Sequence, residues 1–390
     1  MNPPTTPSFP SRLPKVGTTI FTVMSALAAG HQAVNLGQGF PDFDCDPKLV
    51  DGVTTAMQQG HNQYPPMPGV PVLREAISAK MEALYARRYD PASEITVTAG
   101  ATQAILTAIL CCVGPGDEVI VLEPCYDSYV PNIELTGAKV VRVPLTPGTF
   151  RPDFDKIGGA LTARTRALII NSPHNPSGTV WSPEDMRRLQ DLLAPTNVLV
   201  ISDEVYEHMV YAPLQHESVA RTPGLAARSF IVSSFGKTYH VTGWKVGYVA
   251  APAALMAEFR KVHQFNVFTV NTPMQYGLAT YMQDPAPYLE LPAFYDAKRQ
   301  LFRDGLAKTK FRLLPCEGTY FQCVGIADLA VPERDLPEAD FCQWLTREIG
   351  VAAIPLSAFY GDGFDQKVIR FCFAKRDETL REAVGRLGNL

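Results

Sequence analysis

The chain has 390 residues, of which 46% are hydrophobic and 19% are charged, a composition typical of a globular enzyme of about two domains. Its formal net charge of −4, without a basic patch, argues against general binding to nucleic acids or anionic membranes. Residues 1–14 lack the apolar core of a signal peptide, and no apolar run of about eighteen residues occurs, so a cytoplasmic location is expected.

The cysteines and histidines give no sign of a metal site. The eight cysteines form no C-x-x-C pair and lie mostly in apolar surroundings, which favours buried, reduced thiols over a disulfide framework. The seven histidines show no metal-ligand spacing. No metal is therefore expected.

The first predicted elements are a helix over 21–29 and a glycine-rich turn over 35–43. A glycine such as Gly39 allows the backbone to approach a ligand closely, although the local pattern favours a plain turn equally. A polar loop over 62–69 follows, and its Tyr64 is by pattern more often a packing residue than a binding one.

An anion site is predicted where a strand over 95–98 leads through residues 99–102 into a helix over 103–113. A helix N-terminus presents unpaired N–H groups and the positive end of the helix dipole, which suits a phosphate. The signal is weak alone, because every strand–helix unit has such a turn.

The next predicted strands end in polar or aromatic residues. Tyr126 follows the strand over 118–122, and an aromatic there either joins the core or stacks on a planar ring. Asn175 lies in a proline-rich turn after a strand, which ordinarily indicates a loop. Asp203 directly follows the apolar strand over 198–202, where a carboxylate is costly to bury without a cation. No such cation is present in the nearby sequence.

Lys237 lies in a predicted loop after the apolar strand 230–232. Its amine can form a Schiff base with an aldehyde cofactor, while Ser234 and Lys245 hold the phosphate of that cofactor. The competing hypothesis, a nucleotide-binding P-loop, fails because that motif needs a glycine at position 231, where the chain has Ile.

The C-terminal part is predicted to begin near the proline-rich break at 284–287, before a long helix over 288–306. Beyond it, strands and helices alternate. Arg370 lies within the apolar strand over 368–373, and pattern alone favours a solvated face for its side chain.

These motifs together resemble the class I and II pyridoxal 5'-phosphate-dependent aminotransferases. The segment from Ser234 to Gly247 is similar to the family signature S-x-x-K-T-[FY]-x-x-T-G-W-[KR]-x-G, and D-E-x-Y occurs at 203–206. The N-L-x-Q-G-F-P-D-F segment and the C-E-G-T-Y-F segment at 316–321 are closest to methionine aminotransferases and kynurenine aminotransferase-like enzymes. The resemblance implies fold type I of the pyridoxal-phosphate-dependent transferases, an α/β fold. Its large domain has a mixed, mostly parallel seven-stranded sheet, and its smaller domain is α+β.

The resemblance also implies a role for each site residue. Lys237, Asp203 and Tyr206 are the implied catalytic residues, with Asp203 facing the pyridine nitrogen. The implied cofactor-binding residues also include Gly100, Ala101, Thr102, Tyr126, Asn175, Ser234, Lys245 and, from a partner subunit, Tyr64. The implied substrate-binding residues are Arg370, Gly39, Asn175 and, across a dimer interface, Phe268.

The sequence therefore predicts a homodimeric, pyridoxal-phosphate-dependent aminotransferase. It moves the amino group of methionine or an aromatic amino acid to a 2-oxo acid by a ping-pong mechanism. Two alternatives on the same scaffold are a cysteine S-conjugate β-lyase and a kynurenine aminotransferase. The predicted domains are an N-terminal arm with part of the small domain over 1–46, the large domain over 47–285, and the small C-terminal domain over 286–390.

Overall fold

Three β-sheets organise the part of the chain that the computed structural model describes, residues 9–388 and residue 390. The strands are β1 (Val34–Asn35), β2 (Ile95–Thr98), β3 (Glu118–Glu123), β4 (Lys139–Pro144), β5 (Thr165–Asn171), β6 (Leu199–Asp203), β7 (Ser229–Ser234), β8 (Gly247–Ala250), β9 (Arg312–Leu313), β10 (Phe321–Gly325), β11 (Val351–Ala352), β12 (Ile354–Pro355) and β13 (Val368–Cys372).

Helices cover these sheets and connect their strands. They are α1 (Ile20–Gly30), α2 (Pro47–Gln58), α3 (Pro71–Tyr85), α4 (Gly100–Cys112), α5 (Tyr129–Leu135), α6 (Phe154–Ala160), α7 (Pro183–Leu193), α8 (Pro223–Ala226), α9 (Phe235–Thr238), α10 (Ala253–Asn266), α11 (Thr272–Tyr281), α12 (Ala286–Leu289), α13 (Leu291–Leu306), α14 (Glu338–Trp344) and α15 (Asp377–Leu387). No helix in the described residues is long and apolar enough to span a membrane.

The large sheet has the strand order β2-β8-β7-β6-β5-β3-β4, and β8 alone runs antiparallel to its neighbours. Both faces of the sheet are buried: in β3, Ile120 and Leu122 face one core cluster, whereas Val119 and Val121 face the other. This explains why inner strands such as β3 are continuous apolar runs rather than alternating ones. The predicted α/β fold with a mixed seven-stranded sheet is confirmed.

Strand register brings the polar ends of neighbouring strands together. Asn171 at the end of β5 lies opposite Asp203 at the end of β6, and Asp203 lies opposite Val232 of β7. In α/β sheets, ligands bind at this carboxyl edge. The residues that follow β5, β6 and β7 therefore share one site.

The N-terminal segment joins the C-terminal part of the chain. β1 pairs in parallel with β11, and the Cys372 N–H donates to the Leu36 carbonyl at 2.7 Å. The chain continues from β11 into β12, which belongs to the antiparallel four-stranded sheet β12-β13-β10-β9. These contacts place the glycine-rich turn over 35–43 close to Arg370 in β13. The domain bounds given above stay a prediction.

Several local predictions need correction. The predicted continuous helix over 288–306 is divided at Glu290 into α12 and α13, because Pro292 in the first turn of α13 has no N–H to continue the preceding helix. The loop predicted around Lys237 is instead the one-turn helix α9. The sequence interpretation omitted α2 and α11, which pack so closely that a Cβ on Gly277 would lie 2.5 Å from Val53 Cγ2.

Candidate active site

A cavity of about 330 Å³ opens at the carboxyl edge of the large sheet. All but two of the predicted site residues line it, and they come from segments far apart in the chain. They are Gly39, Gly100, Ala101, Thr102, Tyr126, Asn175, Asp203, Tyr206, Ser234, Lys237, Lys245 and Arg370.

One end of the cavity is a cradle for an anion. The N-terminus of α4 faces it, and Gly100 has φ +76°, a left-handed conformation that favours glycine. A Cβ on Gly100 would lie 3.2 Å from Lys245 Nζ, so the absence of a side chain lets this exposed cation approach the helix end. Unpaired N–H groups, the helix dipole and an ammonium together favour a phosphate.

Asp203 also lines the cavity and is buried. Its Oδ2 accepts a hydrogen bond from the Tyr129 hydroxyl at 2.5 Å, and its Oδ1 accepts one from the Val205 N–H at 3.3 Å. Burial raises the pKa of Asp203 to about 6, although the hydrogen bond from Tyr129 opposes the rise. Among the described residues, no cation forms a salt bridge with this carboxylate. A buried carboxylate without a cation fits a ligand that brings a positive charge.

Lys237 extends from α9 into the cavity, and its side chain is half-buried. Its Nζ donates to the Gly39 carbonyl at 3.1 Å and to the Tyr320 hydroxyl at 3.0 Å. Burial lowers the pKa of Lys237 to about 8, since the charged form loses its hydration. An amine with this pKa is partly neutral near pH 7 to 8 and can act as a nucleophile or as a base.

Arg370 is buried, with 1% of its surface exposed, which corrects the solvated face that pattern alone favoured. Its Nη1 donates to Asn175 Oδ1 at 2.6 Å and its Nη2 donates to the Gly37 carbonyl at 3.2 Å. Its Nε has no hydrogen-bond partner in the described part of the chain. Burial lowers the pKa of Arg370 from its ordinary value. A buried guanidinium with a spare donor at a cavity wall suits a carboxylate ligand.

Asn171 links Asn175 to the backbone of Asp203 through two hydrogen bonds. Its Oδ1 accepts from the Asn175 N–H at 2.8 Å, and its Nδ2 donates to the Asp203 carbonyl at 2.8 Å. Asn175 is therefore held beside both Asp203 and Arg370. The Tyr206 ring, which also lines the cavity, packs edge-on against Tyr320, with centroids 5.3 Å apart.

Two predicted site residues lie outside this cavity, Tyr64 and Phe268. Their rings contact each other edge-on with centroids 5.5 Å apart, and they are 83% and 43% exposed. The isolated chain therefore does not bring them to its own site.

The sequence interpretation assigned no role to Asn171, Tyr129 or Tyr320. Tyr320 lies in the C-E-G-T-Y-F motif, and Tyr129 lies three residues after Tyr126, so both were close to residues that the sequence had singled out. Their contacts with Asp203 and Lys237 depend on tertiary packing, which no local pattern reports.

An amine, a buried carboxylate and an anion cradle at the carboxyl edge of this mixed sheet define the class of the protein: it has fold type I of the pyridoxal-phosphate-dependent transferases. Comparison with known sequences narrows the class. The chain belongs to the aminotransferase class I and II family, whose sequence model matches residues 31–387. The protein is an aminotransferase.

Individual relatives cover nearly the whole chain. It is 52% identical over 381 residues to the methionine aminotransferase of Escherichia coli, covering 97% of this chain and 98% of the relative. It is 35% identical over 401 residues to the rat kynurenine–oxoglutarate transaminase 3, covering 95% of this chain and 88% of the relative.

Solved structures give the same result. A crystal structure from Escherichia coli, of a protein identified as having a methionine aminotransferase function, superposes with a TM-score of 0.96 at 51% identity, covering 99% of this chain and 100% of the other. The N-succinyldiaminopimelate aminotransferase of Mycobacterium tuberculosis superposes with a TM-score of 0.93 at 42% identity, covering 98% and 100%.

Proposed function

We propose that this aminotransferase uses pyridoxal 5'-phosphate to move the amino group of methionine or an aromatic amino acid to a 2-oxo acid. The observation that carries the proposal is one cavity lined by the Lys237 amine, a buried carboxylate without a cation and a buried arginine with a spare donor. These are the groups that a cationic ring and an amino-acid carboxylate require.

The residues of the site fit the cofactor. The α4 N-terminus, Ser234 and Lys245 would hold its phosphate, and Asp203 would pair with its ring nitrogen. Asn175 and Tyr206 would donate to its ring oxygen, and Tyr126 would pack on its ring. When bound, the group supplies an aldehyde that combines with amines and a ring that withdraws electrons from the amino acid.

The side chains of the protein then divide the work. Arg370 binds the substrate carboxylate together with the backbone at Gly39, which orients the Cα–H bond. Lys237 Nζ removes the Cα proton and returns a proton during the exchange, acting as base and then as acid. Asp203 stays ionised and stabilises positive charge opposite it. Release of the first oxo acid before the second binds makes ping-pong kinetics the expected pattern.

The cavity favours an uncharged substrate side chain. Phe21, Phe40 and Phe321 line it, and Arg370 is its one arginine among the described residues. A second substrate carboxylate would lack a guanidinium partner. The 52% identity to a methionine aminotransferase supports the same donor. Apolar contacts separate related substrates by only about 1–3 kcal/mol, so a broad donor range is expected.

We further propose a homodimer. Tyr64 and Phe268 form an exposed aromatic pair outside their own cavity, and Phe265 nearby in sequence is 86% exposed. Pairing with a second copy would bury this apolar surface and place Tyr64 and Phe268 at the site of the partner. Sedimentation of the purified protein tests the dimer. A cytoplasmic location stays a prediction.

A donor screen with one 2-oxo acid acceptor tests the function. Protein loaded with pyridoxal phosphate should absorb visible light, and methionine and aromatic amino acids should bleach that absorbance and yield their oxo acids. A response to aspartate alone would contradict the specificity. Pyruvate and ammonia released from a cysteine S-conjugate would instead support the β-lyase alternative, and a preference for kynurenine the other one.

A further inference from the structure

In the C-E-G-T-Y-F segment at 316–321, only Phe321, which lines the cavity, has a role in the function proposed so far. The structure holds it in an unusual conformation directly before β10. Thr319 has φ +62°, which β-branched residues rarely adopt, and its N–H donates to the Met209 carbonyl at 2.8 Å. A Cβ on Gly318 would lie 2.7 Å from that same carbonyl oxygen. Such a constrained turn at a cavity wall indicates that the side chain it positions has a function.

That side chain is Tyr320, and its hydroxyl contacts the reactive amine. The hydroxyl donates to the Gly39 carbonyl at 2.6 Å and accepts from Lys237 Nζ at 3.0 Å. Lys237 Nζ also donates to the Gly39 carbonyl at 3.1 Å, which closes a triangle of three hydrogen bonds. The same Nζ lies 5.5 Å from the centroid of the Tyr206 ring and 5.6 Å from that of the Tyr320 ring.

We propose that the Tyr320 hydroxyl and the Gly39 carbonyl form a docking site that holds the Lys237 amine whenever the substrate amine has displaced it from the cofactor. The inference rests on the proposed function. Without a partner, the flexible lysine stem would leave its amine in many positions, few of them close to the substrate Cα. Because Tyr320 contacts a reacting atom, it is a catalytic residue in this hypothesis.

The chemistry of Tyr320 suits this task. Its O–H is occupied by Gly39, so its oxygen is free to accept from the lysine in the ammonium form. Burial raises the pKa of Tyr320 well above its ordinary value, so the hydroxyl stays neutral while the amine gains and loses a proton.

A purely structural role is the alternative. In that case the Tyr320–Gly39 hydrogen bond only fastens the glycine-rich turn to β10. The substitution Tyr320→Phe removes the hydroxyl in either case, so the readouts must report on the amine. Tyr295→Phe is the matched control: Tyr295 is buried, its ring lies 5.6 Å from that of Tyr320, and its hydroxyl has no partner among the described residues.

The first readout is acylation of Lys237 by acetic anhydride in cofactor-free protein, measured by peptide mass spectrometry across pH. Loss of the Tyr320 oxygen removes a hydrogen-bond acceptor that stabilises the ammonium form of Lys237. The pH at which labelling is half-maximal should therefore fall by about half a unit, and labelling below that pH should rise about threefold. Tyr295→Phe should match the wild type. An unchanged midpoint in Tyr320→Phe would overturn the docking site. The titratable and charged groups around Lys237 are Asp203, Tyr206, Lys245, Tyr320, Arg370 and Cys372.

The second readout is the kinetics of the loaded enzyme with α-deuterated methionine. Tyr320→Phe should lower kcat about tenfold and increase the isotope effect, because proton transfer becomes slower, while KM changes by less than about twofold. If the Tyr320 hydroxyl only attached the glycine-rich turn to β10, Tyr320→Phe would raise KM and leave the isotope effect unchanged. That result would contradict the proposal.

Two further measurements keep the outcomes distinct. A crystal structure of cofactor-free wild-type protein checks the contact without any substitution, and an amine directed away from Tyr320 overturns the proposal. Wild-type protein that transaminates none of the donors contradicts the proposed function instead, whereas the labelling experiment needs no donor.

Discussion

Asp203 at the end of β6 and Glu207 on the turn that follows are two buried carboxylates, yet their surroundings are opposite. Glu207 accepts from Lys80 Nζ at 2.7 Å and from the Tyr248 hydroxyl at 3.0 Å, and the hydroxyls of Tyr85 and Ser233 also donate to it. In the described residues, the Asp203 carboxylate accepts hydrogen bonds only from the Tyr129 hydroxyl and the Val205 N–H.

The pKa shifts follow from these partners. Burial acts to raise the pKa of Glu207, but the Lys80 ammonium and the other neighbours, among them the hydrogen bonds from Lys80 and Ser233, together lower it below the ordinary value. The pKa of Asp203 is instead raised to about 6 by burial. Donors within the chain supply the hydrogen bonds and the counter-charge of Glu207. These contacts link α3 to the ends of β6, β7 and β8. Asp203 is left for a cation that the chain does not provide. The difference separates a structural carboxylate from one kept for a ligand.

Lys80 pairs with Glu207, whereas Lys237 serves the site, and removing Lys237 should have the largest effect. We expect Lys237→Ala to lower kcat by a factor of about 10⁵ or more, because the nucleophile and the base are the same group. Denaturation should show a free energy of unfolding that is unchanged or slightly higher, since a buried amine is removed. Activity above about a tenth of wild type would refute the role of Lys237.

Asp203→Asn should separate function from stability. An amide cannot balance a positive ring, so we expect kcat/KM to fall by a factor of about 10³, or about 4 kcal/mol. The cofactor-free variant should keep its fold by circular dichroism. Equal kcat/KM in the variant and the wild type would assign Asp203 a structural role.

Glu207→Gln should show the reverse behaviour. It leaves Lys80 buried without a counter-charge, so the free energy of unfolding should fall by about 3–5 kcal/mol in urea titrations. Glu82→Gln is the matched control, because Glu82 pairs with Arg88 at 2.9 Å on the surface and contributes about 0–1 kcal/mol. Equal losses in both variants would remove the contrast between these sites.

The pH dependence of stability sharpens the comparison further. The pKa of Asp203 is raised from 3.8 to about 6 in the folded chain, so the native state holds its proton longer than the unfolded state. Stability of the cofactor-free protein should therefore decline as pH rises from about 4 to about 6, by about 3 kcal/mol for this group. Asp203→Asn should lack this decline. Parallel stability curves for the two proteins would contradict the raised pKa.

Much of this site was predictable because its residues lie in ordered local motifs. Lys237, Asp203 and Asn175 each follow an apolar strand, and parallel strands bring their carboxyl ends to one edge. The start of helix α7 is a local feature of the same kind, since Ser182 and Asp185 form a capping box with Pro183 between them. Local chemistry is sufficient for such features.

Other features depended on neighbours that the local sequence does not contain. Arg370 is the one charged residue of the apolar strand β13 and still lies inside, where Asn175 and the Gly37 carbonyl accept hydrogen bonds from it. The close packing of α2 on α11 depends on a glycine contact between segments far apart in the chain. Periodicity reports which residues share a face, but it does not report what covers that face.

The amino-acid sequence by itself determined the chemical groups of this aminotransferase, their order along the chain and the sheet that presents them, because strand, cap and turn preferences act over a few residues. The tertiary structure alone decided which of these groups are left without partners. The electrostatic state of Asp203, Lys237 and Arg370 depends on burial and on contacts such as those from Tyr129 and Tyr320, and both arise only when distant segments pack together.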